Sequence, residues 1–288
     1  MTDWANQDRL QKPMLKIDSH QHFWHFDPIR DNWITEEMEV IRHDFLPPDL
    51  KPLLDANGIQ GCVAVQADQS EQETEFLLNL ARDYAFIRGV VGWVDLCSPN
   101  LKERLEYFSQ FPKLKGFRHI LQLEPVEFML KPEFKRGISA LMEYQFTYDI
   151  LIYPRHLAAT RELIRDNGDQ AFIIDHLAKP DIKNTLFNNW EAEMKQIAAF
   201  ENVYCKLSGM ITEADHKNWK KEDIFPYLDK VFDFFGAERL IFGTDWPVCK
   251  LAGEYNVVCG LVDEYLNKLS VREQELVWGK NAEQFYKL

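Results

Sequence analysis

Eight short apolar runs, each followed by a stretch that suits a helix, recur along the chain at 16–20, 61–67, 87–94, 114–120, 147–153, 171–176, 203–207 and 240–244. Their starts lie roughly 24 to 45 residues apart, room for a strand, a helix and two loops. The runs are almost continuously apolar, as strands of a parallel sheet buried on both faces are. Helical spacing of apolar residues predicts helices at 71–84, 99–108, 157–167, 190–200, 226–235 and 270–276, and a short closing helix at 281–286. Ser98 is placed as a cap with Pro99 in the first turn, and Gly168 as a stop. Eight such alternations predict an α/β chain forming one (β/α)8 TIM barrel over 15–288, with 1–14 as an N-terminal extension. An open doubly wound sheet is the alternative. No GxGxxG follows the first run, which counts against a dinucleotide fold. The longest gap, 23–60, reads either as a lid over a site or as a packed connector.

The 288 residues are 46% hydrophobic and carry a net charge of −13, which argues against nucleic acid and anionic membrane as partners. Five cysteines (Cys62, Cys97, Cys205, Cys249 and Cys259) are widely spaced without a CxxC, and read as reduced thiols of a cytoplasmic protein. The first fourteen residues lack the pattern of a signal peptide, and no run approaches a membrane span. The expected partner is a small molecule. The oligomeric state is open, a homodimer being one option.

Three runs end in groups that bind metals or move protons. The first ends in Asp18-Ser19-His20-Gln21-His22, the sixth in Asp175-His176, and the eighth in Gly243-Thr244-Asp245-Trp246-Pro247. In a parallel barrel these ends share one face. His20 and His22 stand two apart, so both imidazoles point to one side and can hold one divalent cation. The competing reading is a pair of histidines that orient the first loop. His176 is a candidate catalytic group or a satisfied core histidine. Asp245 can take a proton from water and deliver it to a leaving group, or cap a turn. The fourth run ends in Arg118-His119, and a guanidinium there can polarise a carbonyl oxygen. Lys206, a charge inside an apolar run, points into the mouth or snorkels outward. Trp24, Gln66, Gln69 and Tyr153, with Lys206, are candidate substrate contacts.

Four segments resemble the amidohydrolase superfamily in its amidohydrolase-related (Amidohydro_2) branch. They are Ile17-Asp18-Ser19-His20-Gln21-His22-Phe23-Trp24, Lys115-Gly116-Phe117-Arg118-His119, Asp175-His176-Leu177-Ala178-Lys179-Pro180 and Gly243-Thr244-Asp245-Trp246-Pro247. The combination is similar to the group that contains sugar lactonases. The resemblance implies that His20, His22, His176 and Asp245 surround the reaction centre. In metal-using members the first-strand histidines and the last-strand aspartate contact the ion, and the aspartate is also the base for water. Two departures stand out. The fourth strand ends in Arg118-His119 where many members place a lysine or glutamate, Lys115 lying near its start. The fifth ends in Tyr153-Pro154-Arg155 where many place a histidine, His156 lying beyond. These departures point to one divalent ion (Zn or Mn) or none, rather than two. The expected function is a hydrolase that opens a sugar-acid lactone with water activated by Asp245, while Arg118 or His119 stabilises the oxyanion. The alternatives are a metal-dependent decarboxylase of an aromatic or unsaturated acid, and a non-catalytic barrel that binds a small molecule.

Overall fold

Each of the eight runs forms a strand in the computed structural model, which describes residues 13–288. The extension 1–14 lies outside the described residues except for Pro13 and Met14. The strands are β1 (Ile17–Gln21), β2 (Gly61–Val65), β3 (Ile87–Gly92), β4 (Leu114–His119), β5 (Thr147–Ile150), β6 (Phe172–Ile174), β7 (Val203–Leu207) and β8 (Leu240–Phe242). They pair in parallel in sequence order, β1 to β8. The seam between β8 and β1 closes at its top: Asp245 N donates to His20 O at 2.8 Å and His22 N to Trp246 O at 2.7 Å. Lower down, Ser19 Oγ donates to Phe242 O at 2.5 Å, and Thr244 N and Oγ1 both donate to the Asp18 carboxylate. Several strands are shorter than the apolar runs, and the polar residues beyond them belong to the loops of the mouth.

The helices are α1 (Pro47–Ala56), α2 (Glu71–Asp83), α3 (Leu101–Phe108), α4 (Pro132–Glu143), α5 (Leu157–Asp166), α6 (Asn188–Ala198), α7 (Lys221–Phe235), α8 (Tyr255–Leu266), α9 (Val271–Glu275) and α10 (Asn281–Tyr286). Three of them, α1, α4 and α8, were not expected. The gap 23–60 is neither bare lid nor bare connector. It holds α1, a 3-10 turn at Glu36–Ile41 and a bridge between Trp24 and Phe45. Ser98 does not cap α3: its Oγ accepts from Asn100 N, and the helix starts at Leu101. Gly168 is not left-handed, and α5 stops at Asn167 instead. Pro226 falls inside α7, which begins at Lys221. Ser270 does cap α9, and the chain continues through a π turn at Leu276–Lys280 into α10.

Two apolar layers follow from strand alternation. Outward residues such as Phe117, Tyr148, Ile150 and Phe172 pack under the helices. Inward residues Ile17, Val63, Val65, Val91, Ile173 and Ile241 fill the lower barrel, where Phe285 and Tyr286 of α10 join them. The base is thereby filled with apolar groups, and chemistry is confined to the upper end. Among the described residues no helix is long and apolar enough to cross a membrane.

Glu73, in the first turn of α2, is buried, and its Oε1 accepts from Ala67 N at 2.9 Å, which ties α2 to the β2 loop. Burial, helped by Asp68, pushes its carboxyl up to about 7. The folded protein therefore holds this proton more tightly than the unfolded chain does. Stability falls as pH rises from about 4.5 to about 7, and this penalty is constant above that. Glu73→Gln is expected to remove that slope, so the variant gains on the wild type between pH 5 and pH 8, by about 3 kcal/mol at most. Urea unfolding at the two pH values checks this; an unchanged difference between the proteins contradicts it.

Candidate active site

The first strand does not keep a strict two-residue period. Its register with β2 shifts between Asp18 and Gln21. Ile17 faces the lower barrel, yet three residues later His20 also faces inward, and His22 follows it. Asp18 faces outward, as alternation after Ile17 requires, and Tyr255 Oη donates to it at 3.0 Å; the irregularity follows it and turns His20 inward. Such a bulge re-aims side chains at a barrel rim. Across the seam, Asp245 takes a left-handed backbone, φ 61°, and presents its carboxylate to the histidines.

Asp245 Oδ1 lies 3.4 Å from His22 Nε2, 3.8 Å from His20 Nε2 and 3.9 Å from His176 Nε2. Each imidazole uses its other nitrogen below or behind the site. His22 Nδ1 meets Val65 O at 2.8 Å, His176 Nδ1 meets Ser208 Oγ at 2.8 Å, and His20 Nδ1 lies 3.4 Å from Asp175 Oδ1. This fixes the rings and turns three ε-nitrogens toward one carboxylate. Burial pushes His176 down to about 4 and His20 well below its usual value, so both are neutral at pH 7. Burial opposes the charge of Asp245 too, but the surrounding imidazoles outweigh it and hold the carboxyl well below the usual range.

His176 opens an unusual turn. His176, Leu177, Ala178 and Lys179 all have φ between 51° and 59°. Left-handed backbone costs a residue with a side chain about 1 kcal/mol or more, so four in succession persist only where packing holds them. Gly209 abuts this turn, itself at φ 61°. A Cβ there would come within 2.5 Å of His176 Nδ1. Gly209→Ala is expected to displace the ring and cut turnover by at least about tenfold. Kinetics beside a thermal melt check this; wild-type turnover in the variant contradicts it.

Below these groups lies a second, fully buried layer. Lys206 Nζ stands 2.5 Å from Asp149 Oδ2, 2.9 Å from Asp175 Oδ1 and 3.1 Å from His20 Nδ1. Tyr286 Oη donates to Asp149 at 2.8 Å. Arg118 Nη1 donates to Asp175 Oδ2 at 3.0 Å and lies 3.3 Å from His20 Nε2. Its Nη2 donates to the carbonyl and amide oxygens of Gln66. The flanking cations Lys206 and Arg118 and the nearby His20 outweigh burial and keep Asp175 well below the usual carboxylate range.

Above these groups opens a cavity that is continuous with solvent. Its polar floor holds His22, His176, Asp245 and Arg118, with Lys179 and Gln122 at the side. Trp24, Trp33, Leu123 and Leu151 form an apolar wall.

Several sequence expectations change here. His119 is not in the cavity. It follows inward-facing Arg118 by one residue, so it points outward, stacking on Phe128 with its Nε2 3.2 Å from Glu124. Lys206 neither reaches the mouth nor snorkels outward, because Asp149 and Asp175 hold it inside the barrel, fully buried. Gln66 is spent on Arg118, and Gln69 braces the fourth loop by accepting from Ile120 N at 2.7 Å. Tyr153 lies off the wall, its ring centre 5.7 Å from Lys179 Nζ. Trp24 does line the cavity. Asp175 and Lys179 stand in quoted motifs but had no role assigned from the sequence, and Asp149, Ser208, Gly209, Trp33 and Gln122 were not singled out. A charge within an apolar run flagged Asp149 as well as it flagged Lys206, whereas nothing flagged Gly209.

His20, His176 and Asp245 each offer one ligand atom, all within 4.8 Å of one another. His22 was expected in that trio beside His20 and Asp245. Its Nε2 lies 3.4 Å from the same Asp245 Oδ1, but it is His176 that joins His20 and Asp245 in the group with mutual distances this short. Two neutral imidazoles and an ionised carboxylate suit a Zn or Mn ion, since no proton need be displaced near pH 7.

The chain is similar to known proteins over nearly its whole length. The Amidohydrolase family profile (Amidohydro_2) matches residues 17–288. An L-fucono-1,5-lactonase of Burkholderia multivorans is 39% identical over 286 residues, covering 95% of this chain and 96% of that protein. One from Burkholderia ambifaria is 36% identical over 280 residues, covering 95% and 96%. The crystal structure of a Burkholderia multivorans amidohydrolase with bound Zn superposes with a TM-score of 0.92 at 39% identity, covering 95% of this chain and 99% of that one. On the family match and these two relatives, the chain belongs to the Amidohydrolase family.

Proposed function

We propose that this chain is a hydrolase that opens the lactone of a sugar acid, of the L-fucono-1,5-lactone kind, to the aldonic acid. The observation that carries the reading is the buried Asp245 carboxylate, ringed by three imidazole ε-nitrogens on the floor of an open cavity. The two lactonase relatives set the substrate class. Asp245 Oδ1 faces the imidazoles, which leaves Oδ2 to take the proton of an attacking water. His22 and His176 confine that water between the carboxylate and the ester carbon. Arg118, its Nη groups committed to Asp175 and Gln66, adds positive potential on the wall. The proton on Asp245 passes to the departing ring oxygen. A divalent ion held by His20, His176 and Asp245 would supply Lewis-acid chemistry, making water more acidic and an ester carbonyl more electrophilic. The apolar wall of Trp24, Trp33 and Leu123 suits the carbon face of a sugar ring and its deoxy carbon.

The barrel over 15–288 is the functional unit, and its place is the cytoplasm, in keeping with five free cysteines. Its partner is the lactone, with neither nucleic acid nor membrane engaged, in keeping with the charge of −13.

Acid release from L-fucono-, L-rhamnono-, L-galactono- and D-arabinono-lactones tests the reading. Each is followed with a pH indicator after chelation and again with Zn²⁺ or Mn²⁺ restored. L-Fucono-1,5-lactone is expected to turn over fastest. Rates no better than spontaneous hydrolysis on every lactone, with every metal, would overturn the reading.

A further inference from the structure

The motif Asp175-His176-Leu177-Ala178-Lys179-Pro180 contains a lysine that the mechanism above does not use. The left-handed turn brings its side chain to the cavity wall, on the same turn as His176, and Lys179 N donates to His176 O at 2.7 Å. The side chain is 16% exposed. Its ammonium has three donors, and among the described residues one is used, on Glu213 Oε1 at 2.9 Å. The ring centre of Tyr153 lies 5.7 Å away, a second contact that holds the ammonium in place. Burial works against the charge, but Glu213 and Asp245 outweigh it and keep Lys179 cationic. Arg118 differs, because both of its Nη groups are already bonded to Asp175 and Gln66. Of the two cations lining the cavity, Lys179 has two ammonium donors to spare, whereas Arg118 has only its buried Nε without a partner among the described residues. A backbone strained over four residues is costly, and here it carries an imidazole and an ammonium to one cavity.

We propose that Lys179, steadied by Glu213, is a catalytic residue that donates to the carbonyl oxygen of the lactone as negative charge develops there. This rests on the lactonase reading above. Water oxygen bonds to the carbonyl carbon as Asp245 takes a water proton, and the carbonyl electron pair moves onto the oxygen beside Lys179. When that pair returns, the bond from carbon to ring oxygen breaks and the ring oxygen takes the proton from Asp245. The carboxylic acid formed releases one proton to solvent, so lactone and water become aldonate and one proton. Lys179 neither gains nor loses a proton.

The test compares wild type, Lys179→Met, Lys179→Arg and Glu213→Gln on L-fucono-1,5-lactone, with thermal melts of each. Lys179→Met is expected to lower kcat about 10²- to 10³-fold with KM changed by less than about threefold, the pattern of a contact made in the transition state. Glu213→Gln keeps the ammonium and only loosens it, so its loss is about tenfold or less. If Lys179 served only to pair with Glu213, the two variants would lose equally, and that result overturns the proposal. So does a Lys179→Met enzyme within threefold of wild-type kcat. Should Lys179→Met melt before assay, Lys179→Arg decides. It keeps the charge and the pair but moves the donors, and is expected to lose at least tenfold in kcat at an unchanged melting temperature; full activity overturns the proposal. Absence of turnover in the wild type would instead sink the lactonase reading.

Discussion

Asp245→Asn is expected to lose about 10³-fold or more in kcat while remaining folded. The amide cannot accept the water proton and offers no charge to a cation beside His20 and His176. The surrounding imidazoles outweigh burial and hold the carboxyl well below the usual range, so the fold favours its charge and neutralising it costs some stability. The melting temperature should therefore fall modestly, with the variant still folded at the assay temperature. Loss of function without loss of fold separates this residue from the scaffold around it. Initial rates on L-fucono-1,5-lactone and a thermal melt of the same sample make the test. Turnover within tenfold of wild type would show that the base lies elsewhere.

The second large effect is on stability. Lys206→Met fills much the same volume but leaves Asp149 and Asp175 without the cation between them. Breaking a buried pair on one side costs about 3–5 kcal/mol, because an uncompensated charge stays inside. Burial already pushes Asp149 up to about 6. Its proton is regained near that pH, so the deficit should be smaller at pH 5 than at pH 8. Lys206→Met combined with Asp149→Asn should recover part of the loss, since it removes a charge on each side. Urea unfolding of the three proteins at both pH values measures this. A loss under about 1 kcal/mol for the single variant would mean that Lys206 does not hold the layer together.

The strands were legible because a parallel barrel leaves a plain trace, one apolar run per strand with its polar end at the mouth. The helices were less so. Helices α1 and α4, which no helical pattern announced, open on Pro47 and Pro132, and in the first turn, where the missing N–H has no partner anyway, proline starts a helix. The four candidate groups stood out at strand ends and in the family motifs, and the structure brings His20, His22, His176 and Asp245 together. Strand alternation would have separated Arg118 from His119: with Phe117 turned outward, Arg118 must face in and His119 out. The bulge that keeps both His20 and His22 inward after Ile17 leaves no mark in residue types. The left-handed run from His176 to Lys179 contains no glycine, so no local propensity announces it. Its cause is tertiary, in the packing of Gly209 against the imidazole and of Glu213 against the ammonium.

The most direct test of the account is acid release from L-fucono-1,5-lactone by the wild-type protein, with the product identified by NMR. One proton and one L-fuconate per lactone consumed, at a rate far above spontaneous opening, is the expected result. Release of carbon dioxide, or binding of the lactone with no product formed, would contradict it.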